Sequence, residues 1–239
     1  MSTLGTAPRP FLKTTQAYRI LTKVQNVSAL AFSTFTAIHG TQILAANLGG
    51  ASLANHLILL GRPFYQDEHL EGVLVTGAAT VHVLAGLGKW GIRTYWDPSR
   101  VETHRLRYAG YALIPLVGLH YYLVRMLPIA YYGDSSFIDF GYVAWGLQNK
   151  PALTYGLHTA LILTSCYHLV GGLKTIFRTK QKKVTRVPMH GHNIDQTPHS
   201  ISSIITTTLS LALISGMIII ARDTTKIPLR LDFANMYFY

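Results

Sequence analysis

The chain is short of acid: 10 Asp and Glu stand against 21 Lys and Arg in 239 residues, and all charged residues together make up only 13%. None of those acids falls inside a long apolar stretch, which excludes paired carboxylates working as acid and base at bilayer depth. There is one cysteine, Cys166, so there is neither a disulfide framework nor a C-x-x-C metal site. Cys166 reads as a small apolar helix residue. Nucleophile triads and Gly-rich phosphate loops have no support, and an enzyme class is not expected beyond a redox-active cytochrome. No secretory signal pattern opens the chain. Residues 1–24 hold Arg9, Lys13, Arg19 and Lys23 with several Ser and Thr and no acid. That composition suits a mitochondrial presequence and equally the positive flank of a first membrane helix.

What the chain has is apolar length. Five stretches, Ser28–Leu48, Gly72–Ile92, Tyr108–Met126, Ala152–Phe177 and Ser202–Ala221, each reach about 20 residues, enough to cross a bilayer. The expected fold is all-α: an integral membrane bundle of about five transmembrane helices, two helix pairs plus a closing helix. The organisation expected is a basic N-terminal tail over 1–25, a five-helix domain over 26–222 and a C-terminal tail over 223–239.

Basic residues follow the topology this implies. With the basic ends of the stretches, Lys89 and Lys174 among them, counted to the side they border, the N-terminus and the connections after the second and fourth stretches carry 15 of the 21 Lys and Arg and three acids; the other side carries six and seven. The positive-inside rule therefore places the N-terminus on the cytosol-like side. The net charge of +11 is thus explained without nucleic acid. The run Arg178–Arg186 suits an anionic membrane surface or a solvated flank.

His39, His82, His120 and His168 fall one each in the first four stretches. An ionisable group at that depth is costly and marks a candidate site. At about 1.5 Å rise per residue, His39 and His120 lie at one level, roughly 20–24 Å from the basic entry of their helices. His82 and His168 lie roughly 9–16 Å from their basic exits. Two pairs at two heights fit two heme b sites, each with an axial imidazole on either face of the ring; the four histidines are the candidate iron ligands. Gly86 and Gly172 follow His82 and His168 by four residues, on the same helical face, where they would leave room for a porphyrin. His39 and His120 have Gly40 and Gly118 nearby and no such i+4 glycine. Both second-pair segments read H-x-x-x-G-L with a basic exit, a weak internal repeat. The alternative for all four is hydrogen bonding between helices. His158 is expected to pack or to face a propionate, and His56, His69, His104, His190, His192 and His199 to lie in loops and linkers.

The connection Leu127–Lys150 is rich in Tyr, Phe and Trp, residues that favour the membrane interface. A short helix is expected there over about Phe140–Leu147. Pro151 suits the first turn of the helix that follows, and Pro115 is expected to kink its own.

The order of helices and histidines resembles the diheme cytochrome b anchors of succinate:quinone oxidoreductases, in which the first and third helices share one heme and the second and fourth the other. The segments His82–Trp96, Gly110–Pro128, Phe137–Lys150 and Cys166–Lys174 resemble more closely the fungal MDM-ten-complementing, or MCP-type, family. That resemblance implies a multi-pass mitochondrial outer-membrane protein with a cytosolic N-terminus. It also implies a role in lipid homeostasis at membrane contact sites, as a receptor for a bridge-like lipid-transfer protein of the Vps-thirteen class. The family's adaptor motif is Pro-x-Pro in the N-terminal tail, and Pro8 and Pro10 match it. The alternative function is a diheme electron-transfer protein or quinone-enzyme anchor in the inner membrane.

Overall fold

The computed structural model describes residues 10–96, 105–178, 197–223 and 236. Among them there is no strand, and five helical segments are long and apolar enough to cross a membrane: Thr14–Tyr65, Glu71–Trp96, Arg105–Tyr132, Pro151–Phe177 and Ile201–Asp223. The all-α, five-span architecture expected from the sequence is the one observed. The helices are α1 (Pro10–Tyr65), α2 (Glu68–Leu70), α3 (Ala78–Trp96), α4 (Arg105–Tyr121), α5 (Leu127–Tyr132), α6 (Phe140–Asn149), α7 (Pro151–Arg178) and α8 (Thr197–Asp223). π-helical turns over Glu71–Gly77 and Tyr122–Met126 run into α3 and α5. Helix α7 opens at Pro151, as its missing N–H allows. Pro115 lies inside α4. Helix α1 begins at Pro10, within the segment read as a tail; Pro8 lies outside the described residues.

The chain forms two compact units, one of Met1–Ile38 and Gly61–Thr103, the other of His39–Leu60 and His104–Tyr239. In the second, α1 does not run straight. Gly49 and Gly50 leave helical geometry, and Gly50 takes φ 65° and ψ −165°, a region only glycine occupies at ease. The Gln42 side chain then donates to the Leu57 carbonyl at 3.2 Å. In an unbroken helix those residues would stand about 22 Å apart, so the chain turns back and its second arm lies along the first. The Asp223 carboxylate accepts from the Ala51 N–H at 3.0 Å, satisfying a donor that the start of the returning arm leaves open. His56 therefore sits on a helix and His69 within α2, not in loops. For His56 the reason is the Gly49–Gly50 reversal, which turns an apparent connection into a helical hairpin; for His69 it is Asp67, which caps α2 by accepting from the His69 and Leu70 N–H groups. His104, His190 and His192 are outside the described residues.

Helix α6 is where the sequence placed it, and it packs into the bundle. Phe140, Tyr142, Ala144, Trp145 and Leu147 are buried and join apolar clusters with α1, α7 and α8 and with Leu127, Ile138 and Met236. Three polar contacts fix it. Asp139 caps its start by accepting from the Gly141 N–H at 2.8 Å. The Asn55 side chain accepts from the Phe140 N–H at 3.0 Å, and Gln148 donates to the Ala221 carbonyl at 2.7 Å. Cys166 lies in the α6–α7–α8 cluster, the packing role its composition suggested.

Candidate functional site

In the second unit, α4 and α7 pack closely. Leu106 and Gly110 on α4 meet His168, and Gly171 on α7 meets Leu106. Farther along the same pair, His120 and His158 meet ring to ring, with centroids 5.2 Å apart and planes at 88°. His39 on the first arm of α1 completes the group, its ring 6.2 Å from that of His120 at 54°. The structure thus gathers three imidazoles, two of them the candidate pair His39 and His120. The third is His158, expected from the sequence to pack or to face a propionate rather than to be a ligand.

Hydrogen bonding orients these rings. His158 Nδ1 lies 2.8 Å from the Thr154 carbonyl; a carbonyl only accepts, so Nδ1 carries the proton and Nε2 the lone pair. That Nε2, and Nδ1 of His120, are sealed from the surface with no hydrogen-bond partner among the described residues. Buried polar nitrogens without partners are uncommon and call for an explanation. His39 differs, because buried Gln42 lies within hydrogen-bonding reach of it. His120 sits just before the π-helical turn Tyr122–Met126, a distortion frequent at functional sites. Tyr142, fully buried, donates its hydroxyl to the Leu123 carbonyl within that turn at 3.0 Å.

His168 is held in the same manner as His158. Its Nδ1 meets the Leu106 carbonyl at 3.1 Å, and Gly110 makes room for the ring, since a Cβ there would lie 3.0 Å from His168 Cε1. In the first unit, His82 Nδ1 meets the Gln25 carbonyl at 3.2 Å. Each bond leaves Nε2 as the lone-pair nitrogen, the arrangement by which proteins orient a metal-binding imidazole. His82 and His168 belong to different units. The two glycines of the H-x-x-x-G-L repeat have unlike environments. A Cβ on Gly86 would lie 2.9 Å from the Gln25 amide nitrogen, whereas one on Gly172 would meet nothing within 4 Å.

The chemistry open to the three-imidazole cluster is bounded by its spacing. Among the described residues, no three His, Cys, Asp or Glu side chains stand close enough to share a bare metal ion. Two imidazoles on opposite faces of one metal, each about 2 Å from it, bring their ring centres roughly 6 Å apart, close to the His39–His120 separation. The donor set suits a metal that brings its own equatorial ligands.

Sequence reasoning missed His158, Gln42 and Thr154. The signal for His158 was present, an imidazole within an apolar helix. Its facing partner on α4 could not be read without the helix pairing.

Among known proteins, no curated sequence and no solved structure matches, cytochrome b anchors included. One family model does match, that of the transmembrane domain of MDM10-complementing protein 1, over residues 115–225. This segment runs from Pro115 in α4 past the end of α8 and takes in His120, His158 and His168. Over that length the chain is similar to the MCP-type family, and the match supports a transmembrane protein of that type.

Proposed function

We propose that this is a multi-pass protein of the mitochondrial outer membrane that acts in lipid homeostasis and binds heme b within its bundle. The observation that carries the heme assignment is the His39–His120–His158 cluster, in which His120 Nδ1 and His158 Nε2 are sealed and have no hydrogen-bond partner among the described residues. His39 and His120 would hold the iron, and His158 stands beside them. His82 and His168, the other two histidines of the sequence pattern, are each oriented by a main-chain carbonyl within their own units. When bound, heme b supplies one-electron chemistry. The protein's part is to hold His158 beside His39 and His120 through the Thr154 carbonyl, and to keep water from His120 Nδ1 and His158 Nε2.

The cellular role rests on the family match and on the resemblance of the segments from His82 to Lys174. In this reading the N-terminus faces the cytosol, Pro8 and Pro10 recruit a lipid-transfer protein of the Vps-thirteen class, and membrane lipids are the material exchanged. Substituting both prolines by Ala should abolish recruitment of that partner to mitochondria, scored by fluorescence colocalisation in cells. Undiminished recruitment would remove the adaptor assignment.

The heme assignment is tested by a dithionite-reduced minus oxidised visible spectrum of the detergent-purified chain after heme-replete expression, with a pyridine hemochrome assay for stoichiometry. Sharp α and Soret bands, lost in His39→Ala and in His120→Ala, are expected. A folded protein without such bands returns the histidines to helix packing and leaves the lipid role standing alone.

A further inference from the structure

The first unit holds a second arrangement that the heme and adaptor assignments do not use. Lys89 and Arg93 sit one turn apart on α3, and both reach the same ring on α1. Lys89 Nζ lies 5.2 Å and the Arg93 guanidinium carbon 5.1 Å from the centroid of Tyr18. Lys89 also donates one of its three N–H bonds to the Gln25 side-chain oxygen at 2.9 Å. Among the described residues no carboxylate meets either cation. Their helices are held close by glycine, since a Cβ on Gly86 would press on Gln25 and one on Gly88 would lie 3.2 Å from Leu21. Around them Trp90, Tyr95 and Trp96 are exposed, the last two in the final turn of α3, the residue types that settle at headgroup level.

Two like charges brought to one ring repel unless an anion lies between them. Both are half-buried, so water screens that repulsion less than at an open surface. A phosphate is the anion that matches a guanidinium fork beside an ammonium, and basic pockets between membrane helices are known headgroup sites. We propose that Lys89 and Arg93, positioned by Tyr18 and Gln25, bind the phosphate of an anionic phospholipid at the end of α3.

The test uses the full chain in detergent and native mass spectrometry, with dioleoyl phosphatidic acid as the probe. Dioleoyl phosphatidylcholine and inorganic phosphate, at matched concentration, serve as separate arms. A one-to-one phosphatidic acid adduct is expected, weakened about tenfold in Lys89→Gln and in Arg93→Gln and lost in the double variant. Phosphatidylcholine should be retained at least tenfold more weakly, and inorganic phosphate should not displace the lipid. Lys174→Gln, which removes a cation from the other unit, should bind as the parent does. Circular dichroism verifies the helical content of each variant. If the double variant lost helicity, Arg93→Lys would decide, because it keeps the charge and removes the fork; binding equal to the parent there would overturn the role of the fork. Equal adducts in a folded double variant, or in Lys174→Gln and Lys89→Gln alike, would overturn the site. Displacement by inorganic phosphate alone would overturn the lipid as its occupant.

Discussion

Gly50 is the residue on which the α1 hairpin depends. Its positive φ, with ψ near 180°, suits glycine alone. The Asp223 carboxylate also occupies the place where a Cβ would project. Gly50→Ala should therefore destabilise the protein by about 1–3 kcal/mol, measured as loss of helical signal on heating in detergent. Gly72→Ala and Gly91→Ala, where a Cβ would meet nothing within 4 Å, should melt as the parent does. Equal melting of all three would show that the Gly50 conformation is not required. At this scale the sequence was informative about identity and silent about pairing. An ionisable ring in an apolar run is visible in one dimension, and depth arithmetic brought His39 and His120 to one level because helix rise is constant. That His158 faces His120 depends on the rotation of α7 against α4, which no count along the chain supplies.

Among elements, the five spans were legible because a membrane helix is announced by composition over about 20 residues. Helix α6 was legible from its aromatic run and from Pro151 behind it. The returning arm of α1 was not. Its 15 residues after Gly50 are too few to span a bilayer, and Asn55, His56, Arg62 and Pro63 interrupt them. The π-helical turns had no sequence mark at all. The connection before α6 carries a pH dependence that can be worked out. The Asp134 carboxylate accepts from the Ser136 hydroxyl, from the Ser136 N–H at 2.9 Å and from the Ser135 N–H at 2.6 Å. These bonds, chiefly those from Ser136, with Arg125 nearby, hold its pKa below the ordinary carboxylate value. A depressed carboxylate contributes order that is fully present above its unfolded pKa, about 3.9, and is lost as pH falls through the folded value. Hydrogen exchange at Ser135 and Ser136 should accordingly be slow at neutral pH and accelerate, after correction for intrinsic rates, only below about pH 4. Asp134→Asn should flatten that profile. A parent profile already flat to pH 2 would show that the carboxylate does not order the turn.

At the level of the molecule, the rule of apolar inside and polar outside is displaced by another. Much of the core is small: Ala45, Ala46, Ala51, Ala54, Ala78 and Ala85 are buried, while large residues such as Val27, Leu48, Leu60, Val73 and Leu211 are exposed. In a bilayer, lipid tails are as apolar as leucine, so burying a leucine against a helix gains little over leaving it in lipid. Small residues instead let backbones approach. The effect of a substitution should follow that inversion. Ala54, on the returning arm of α1 and fully buried against the first arm, α6 and α8, has no room for a larger side chain. Ala54→Leu should cost about 1–3 kcal/mol through overpacking, although it makes the chain more apolar. Leu211→Ala, at a position 62% exposed in the middle of the span Ile201–Asp223, should leave stability within about 0.5 kcal/mol of the parent. The discriminating measurement is the pair Leu211→Ala and Leu211→Lys, compared with Ala54→Leu by thermal melting and by extraction of membranes at alkaline pH. In the membrane reading, Leu211→Ala is retained in the pellet and melts normally, Leu211→Lys inserts or folds poorly, and Ala54→Leu is retained but melts early. If Leu211→Lys behaved as Leu211→Ala does, that face would meet water rather than lipid, and the placement of the last span would have to be redrawn.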